Sequence, residues 1–446
     1  MTRGLIIAAP ASGSGKTLVT LALLRHLRRA GIAVGSAKVG PDYIDGAFHR
    51  AAGGRPCFNL DTWAMRPQTL RAIIRRAGDG AELVVAEGVM GLFDGAPTGS
   101  PAGGAGPDGS TADLAASTGW PVVLIVDAKG MGASAAALVQ GYAGFREDVR
   151  VAGVLFNRAG GPGHGEILRQ ACAPLGIPVL GVLPRRAELV LPDRHLGLVQ
   201  AGEHVDLEDL LDRAAAWIGD GVDVAGLLAL ARPAGIPDGC DAAALTALPP
   251  LGQRIAVARD TAFAFAYPHV LAGWRAAGAE VLPFSPLADE APAAGADAVF
   301  LPGGYPELHA GQLADASRFR DGLRRLAADG ALVYGECGGY MVLGRGLEDA
   351  EGVRHPMLDL LPLETSFEAP RMTLGYRDAS LSADGPLGRA GAGFRGHEFH
   401  FARLLGDECE SPLFACRDAR GRDLGAAGGR RANVMGSFIH LVDRTG

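Results

Sequence analysis

The chain has 446 residues, of which 48% are apolar and 20% charged. That is enough to bury a core in roughly two to three domains of about 150–200 residues each, and it excludes wholesale disorder. A formal net charge of −7, from 42 basic and 49 acidic side chains, argues against a surface built mainly to hold nucleic acid or anionic lipid.

No stretch approaches the ~20 consecutive apolar residues that a membrane span requires. Arg3 followed by the apolar Leu5–Ala9 imitates a signal peptide, but that run is short and passes straight into a glycine loop. Six cysteines, none in a CxxC pair, suit reduced thiols and a cytoplasmic setting. Lysine occurs only at Lys16, Lys38 and Lys129, and arginine supplies every other side-chain cation. Where the surface has drifted to arginine, a surviving lysine marks a place that needs a compact ammonium. Lys16 fits that description best and Lys38 next, while Lys129 reads as a remaining surface charge.

From Gly4 to about Val190, short apolar runs alternate with helical periods. Leu5–Ala9, Ala33–Val39, Leu83–Ala86, Val122–Asp127, Val151–Asn157 and Val179–Leu183 are near-continuous in Val, Ile, Leu and Ala, as strands of a parallel sheet covered on both faces must be. Lys16–Ala30 places Leu18, Leu21, Leu24 and Leu27 at helical spacing, and Gly31 ends it. The pattern is α/β and doubly wound. Pro97–Gly109 reads as a loose loop. Ala231–Gly252, rich in Pro and Gly, reads as the linker between a domain at 1–230 and another at 253–446. Beyond it the rhythm restarts with strands Ile255–Arg259, Glu280–Phe284, Ala298–Leu301 and Ala331–Gly335 and helices Tyr267–Ala277 and Arg318–Asp329, a second doubly wound domain.

The first strand runs into Pro10-Ala11-Ser12-Gly13-Ser14-Gly15-Lys16-Thr17 and then a helix. Strand, glycine loop, GKT and helix in that order point to ATP. Ser12, Gly13, Ser14 and Gly15 would wrap phosphate oxygens, Lys16 would reach the β- and γ-phosphates, and the Thr17 hydroxyl would bind Mg²⁺. Pro10 stands where the motif usually has its first glycine. Glu87 ends a buried strand and Asp94 follows in Glu87-Gly88-Val89-Met90-Gly91-Leu92-Phe93-Asp94. Both are candidates to hold Mg²⁺, with a helix cap as the plain alternative. Lys38, Asp42 and Asp45, in Lys38-Val39-Gly40-Pro41-Asp42-Tyr43-Ile44-Asp45, fall at the carboxyl edge where open sheets bind ligands and could orient a substrate. Asn157, at another strand tip, could read an adenine edge.

In the second half, Gly335-Glu336-Cys337-Gly338-Gly339 follows a strand and precedes a helical run. This is a nucleophile elbow with Cys337 as the nucleophile. The N–H groups of Gly338 and of Gly304, in Leu301-Pro302-Gly303-Gly304-Tyr305, could bind an oxyanion. A thiol nucleophile needs a base, and His397, His400 and His440 are the candidates. His397-Glu398-Phe399-His400 lacks the HExxH spacing of a zinc site.

Taken together, PASGSGKT, KVGPDYID, NLDTW, AEGVMGLFDG, LPDRHLGL, LPGGYPEL and GECGGYMVLG closely resemble the cobyrinic/hydrogenobyrinic acid a,c-diamide synthases of cobalamin biosynthesis. The resemblance covers nearly the whole chain. It implies a dethiobiotin-synthetase-like P-loop domain followed by a class I glutamine amidotransferase domain. The activity implied is ATP- and glutamine-dependent amidation of the a and c acetates of a corrinoid polycarboxylate through an acyl phosphate. It matches Cys337 and His440 to the glutaminase pair, and Asp42, Ile44 and Asp94 to substrate-recognition or acidic positions. It implies no nucleic-acid or membrane partner and is compatible with a homodimer. Class I amidotransferases usually read H-x-E, but Val442 stands where that Glu belongs, so the resemblance implies a Cys–His dyad. The composition leans toward hydrogenobyrinate over cobyrinate. Nickel-sirohydrochlorin a,c-diamide synthases share most of the motifs, and a partitioning-type P-loop ATPase with an inert amidotransferase-like module is the rival from another class.

Overall fold

The computed structural model describes residues 2–98, 107–194, 197–235, 242–407, 409 and 411–445. Part of the expected Pro97–Gly109 loop, part of the expected linker, and His195 and Leu196 of LPDRHLGL lie outside the described residues. The chain divides into two compact units. Ala64–Thr69, inside the span expected for the first domain, groups with the second unit. There the backbone N–H of Arg66 donates to the buried Asp443 carboxylate at 2.8 Å, and its guanidinium donates to the same group at 2.9 Å. An isolated buried carboxylate would be costly, so this clasp holds the segment in place.

In the first unit, β1 (Arg3–Ala8), β2 (Val34–Val39), β3 (Cys57–Leu60), β4 (Leu83–Glu87), β5 (Val122–Asp127), β6 (Val151–Ala159) and β7 (Val179–Pro184) form a parallel sheet in the order β3-β2-β4-β1-β5-β6-β7. Arg232–Pro233 pairs antiparallel with β1. The strands carry the uninterrupted apolar runs because both faces are covered: Leu5, Ile6, Ile7, Val84, Val85, Val123 and Leu124 are fully buried. Helix α1 (Lys16–Arg29) starts one residue after the left-handed Gly15 and stops at Ala30, with the left-handed Gly31 behind it, as its spacing predicts. The chain leaves β1 toward β2 on one side, whereas β5, β6 and β7 extend the other. The carboxyl end of β1 is therefore the crevice where such sheets bind ligands.

The second unit's largest sheet has ten strands and two characters. Glu280–Phe284, Arg254–Ala258, Ala298–Leu301, Leu332–Glu336 and Val434–Ser437 are parallel neighbours, and the first four match the expected strands to within two residues. Antiparallel strands Asp423–Arg431, Ser411–Asp418, Thr373–Leu381, Gly393–His400 and Ile439–Arg444 continue it. Apart from the strand-like alternation at His397–His400, the sequence carries little sign of this extension. Thr373–Leu381 and Gly393–His400 mix buried with half-buried or exposed residues, and Asp423–Arg431 is mostly exposed and rich in glycine, so these strands lack the apolar runs that betray parallel strands.

Candidate active sites

The β1–α1 loop is held from behind. Asn157 at the end of β6 donates its side-chain N–H to the Ser14 carbonyl at 3.0 Å, and the Ser14 hydroxyl donates to the Ala11 carbonyl at 2.8 Å. Gly15 has φ 90°, and a Cβ there would lie 2.3 Å from the Asn157 amide nitrogen, so only glycine closes the loop. Lys16 turns back, its ammonium 2.5 Å from the Met90 carbonyl and 3.4 Å from that of Ala11. Burial, with the neighbouring Lys38 adding to it, lowers its pKa to about 8. Pro10, the departure from the usual motif, accepts a hydrogen bond from the Tyr142 hydroxyl at 2.9 Å.

Behind the loop lies a closed ring of buried charge. Glu87, fully buried at the end of β4, accepts from the Thr17 hydroxyl at 2.6 Å and from Lys38 at 2.8 Å through one oxygen. Its other oxygen lies 2.7 Å from Nε2 of His49. Lys38 is also 2.6 Å from the Asp45 carboxylate. Asp45 and His49 stand four residues apart on helix α2 (Asp45–Gly53), so one helical face supplies an acid to Lys38 and a base to Glu87. Burial opposes ionisation of Glu87, but Lys38 and then His49 hold its carboxyl far below the usual range. Despite its own burial, His49 is raised to about 10 by Cys57 and Glu87, which favours the imidazolium beside the Glu87 carboxylate. Burial and the neighbouring Asp42 raise Asp45. Asp42 caps α2 from outside, accepting the Ile44 and Asp45 N–H groups at 2.8 and 3.1 Å.

The ring opens onto a cleft of about 700 Å³. Of the residues singled out from the sequence, Ser12, Gly13, Gly15, Lys16, Thr17, Lys38, Asp42, Asp45, Glu87 and Asn157 line it. Three do not. Ser14 is buried behind the loop, Ile44 is buried with only a hydrocarbon side chain, and Asp94 is exposed, its carboxylate accepting the Gly91 N–H at 2.8 Å. Asp94 therefore acts on Lys16 by charge. Asn157 is likewise engaged in the loop, so the adenine-edge role expected of it competes with a structural one. The sequence reading missed His49 and the far wall. Lys129, Arg158, Arg185 and Arg186 line the cleft, and with Lys16 and Lys38 they suit a polyanion. The adjacent Arg185-Arg186 after the β7 strand was the signal for that wall.

The Thr17 hydroxyl and the Glu87 carboxylate are hard oxygen ligands already in contact, which suits Mg²⁺ shared with nucleotide phosphates. Among the described residues no group of three or more His, Cys, Asp or Glu could hold a metal unaided.

In the second unit, Cys337 takes φ 47° and ψ −106° between strand Leu332–Glu336 and helix Gly338–Leu343. Such a conformation costs a non-glycine residue about 1–3 kcal/mol and persists where the surroundings enforce it. The Cys337 N–H donates to the Ser437 carbonyl at 2.8 Å and completes the parallel pairing. His440 is fully buried and lies across from His397 in the antiparallel pair. Gly303 separates thiol and imidazole: a Cβ there would lie 2.3 Å from Cε1 of His440 and 3.3 Å from Cβ of Cys337. Gly304 and Gly338 approach as closely, since a Cβ on Gly338 would be 3.0 Å from the Gly304 nitrogen. The two expected oxyanion donors are thus neighbours.

Of the three candidate bases, His400 stacks on Phe438 at 4.0 Å and lies 2.9 Å from a Glu398 oxygen, while His397 packs edge-on against Tyr376. His440 is the one beside the elbow. Burial dominates the electrostatics: it raises the Cys337 thiol, with Glu307 adding to it. It also lowers His440 to about 3, with His397 and His400 adding to it. The resting pair is neutral thiol and neutral imidazole.

Residues 5–199 match the CobQ/CobB/MinD/ParA nucleotide binding domain, and residues 254–444 match the CobB/CobQ-like glutamine amidotransferase domain. A hydrogenobyrinate a,c-diamide synthase of Rhizobium meliloti is 54% identical over 99% of both chains. Another, from Brucella abortus, is 55% identical over 100% of this chain and 99% of its own. At that identity over the full length, the chain belongs to the hydrogenobyrinate a,c-diamide synthase family.

Proposed function

We propose that this enzyme amidates the a and c acetate carboxylates of hydrogenobyrinate, using ATP and glutamine, in cobalamin biosynthesis. The observation that carries the proposal is one chain holding both a phosphate loop and a thiol elbow and matching, end to end, relatives named for this reaction. Ammonia does not displace oxide from a carboxylate, so the carboxylate must first gain a better leaving group. A carboxylate oxygen attacks the γ-phosphorus of ATP, ADP departs, and an acyl phosphate results. Ammonia then adds to the acyl carbon, phosphate leaves with its bonding pair, and a proton is lost to give the amide.

The residues divide this work. The β1–α1 loop and Lys16 bind the phosphates, Lys16 leaving the Met90 carbonyl to do so. Lys38, held between Glu87 and Asp45, neutralises charge where the two anions meet, and Asp42 and Asp45 at the head of α2 orient the substrate. Mg²⁺, held by Thr17 and Glu87, would neutralise charge developing on the transferring phosphoryl group. In the second unit, Cys337 attacks the glutamine side-chain amide while His440 takes the thiol proton and passes it to the departing ammonia. The Gly304 and Gly338 N–H groups receive the oxyanion, and water then hydrolyses the thioester to glutamate. The five cysteines among the described residues that are free of disulfides are in keeping with a cytoplasmic setting. No described helix is long and apolar enough to cross a membrane.

The test is purified enzyme with ATP, Mg²⁺, glutamine and, separately, hydrogenobyrinate and cobyrinate. ADP release coupled to a product carrying two new amides is expected with hydrogenobyrinate. ADP release with neither acid would refute the assignment.

A further inference from the structure

Glu336 immediately precedes the nucleophile, and the mechanism above gives it no part. Its carboxyl is buried, with one oxygen accepting from the Tyr334 hydroxyl at 3.0 Å and from the Leu441 N–H at 3.1 Å. The other oxygen lies 4.0 Å from Nδ1 of His440. The fold makes this approach. Strand Leu332–Glu336 runs parallel to Val434–Ser437, with Glu336 opposite Ser437, and the chain re-enters a strand at Ile439. His440 thereby comes alongside the Glu336 side chain. Val442, whose position the usual triad acid would occupy, is an apolar and fully buried residue. Resting on the reading of Cys337 and His440 as a glutaminase pair, we propose that Glu336 supplies, from the end of the strand that leads into Cys337, the carboxylate that position 442 lacks: it orients His440 through Nδ1 and compensates the imidazolium formed when the thiol gives up its proton.

The proton balance is specific. With Glu336 ionised, Nδ1–H points to it and Nε2 presents its lone pair to the Cys337 S–H. The proton moves from sulfur to Nε2, and no proton reaches the carboxylate. A separation of 4.0 Å is looser than a hydrogen bond, and catalytic contacts commonly tighten only with substrate bound. Burial, His397 and His400 disfavour protonation of His440, and a hydrogen bond to the Phe265 backbone and then Glu398 favour it. Glu398 is already engaged by Arg377 at 2.6 Å and by His400. Among the described residues, His440 is the basic side chain nearest Glu336. Glu336 is a positioning residue, because it acts through His440.

The experiment measures glutamate release and ammonium-driven amide synthesis in the full chain for wild type, Glu336→Gln, Glu336→Asp, Glu336→Ala and Cys337→Ala. Glu336→Gln keeps the shape and removes the charge. Its kcat for glutamate release should fall about 10²-fold with KM for glutamine nearly unchanged, while ammonium-driven synthesis persists. Glu336→Asp should recover part of the loss. Wild-type kcat in Glu336→Gln, or equal losses in the Asp and Ala variants, would overturn the proposal. Glutamate release by Cys337→Ala would instead overturn the glutaminase reading beneath it. Wild type supplies a test that needs no variant to fold. Burial pushes the Glu336 carboxyl up to about 8, so glutamate release should climb as the pH rises through that value, and a flat or falling rate there would also overturn it.

Discussion

Around the phosphate loop, buried acids stand against cations: Glu87 against Lys38 and His49, and Asp45 against Lys38. Around Cys337 burial acts without that compensation, and thiol, imidazole and carboxyl are all pushed toward their neutral forms. The first arrangement suits a substrate that arrives highly charged. The field is built in advance, and ion pairs exchange one partner for a phosphate or a metal ion. The second suits glutamine's neutral amide, because thiol and imidazole need carry charge only while the thiol is attacking. Desolvation that would disable a phosphate site keeps a thiol site quiet between turnovers.

The largest effect expected from breaking this contrast is at Lys16. Lys16→Ala removes the phosphate clamp and should lower amide synthesis by about 10³-fold or more with either nitrogen source. Glutamate release measured in the same samples shows whether the loss stays with the nucleotide unit, and near-normal ATP-dependent synthesis would refute the clamp.

Gly303→Ala should act in the opposite unit only. The added methyl would have to share space with Cε1 of His440, and displacing the base by about 1 Å costs on the order of 10²-fold. Glutamine-driven synthesis should fall by that much while ammonium-driven synthesis remains. Unchanged glutamate release would mean that His440 is not the working base.

The smallest effect sharpens the charge ring. His49 is raised to about 10 from its ordinary 6.5, so its contribution to stability is fully present below about 6.5 and is lost as the pH rises through about 10. The stability difference between wild type and His49→Gln should therefore shrink across that window, as thermal unfolding at several pH values would read. A difference that grows with pH would mean that His49 is neutral in the folded chain.

Much of the first unit is legible because its signals are local: apolar runs mark parallel strands, and loop, Lys16 and Thr17 are contiguous. The ring behind the loop is not local. Glu87, Lys38 and His49 come from three elements, and the shared face of Asp45 and His49 exists only once Asp45–Gly53 is a helix. In the second unit the elbow at Cys337 is readable from five residues, whereas Glu336 is visible only once strand pairing brings it to His440. Val442, two residues past His440, implies a dyad, because sequence separation conceals an acid that belongs to the strand leading into Cys337. The antiparallel extension escaped notice for the same reason that it has one wet face: alternation broken by glycine is a weaker signal than a buried run.

In the proposed mechanism, carboxylate activation and ammonia release belong to separate units of one chain. The direct measurement is a paired assay of Cys337→Ala with glutamine and with ammonium salts at alkaline pH, ATP and hydrogenobyrinate being saturating. Glutamine-driven synthesis should fall by at least about 10³-fold while ammonium-driven synthesis stays at the wild-type rate. A folded, ATP-binding Cys337→Ala enzyme that is inactive with both nitrogen sources would contradict the account.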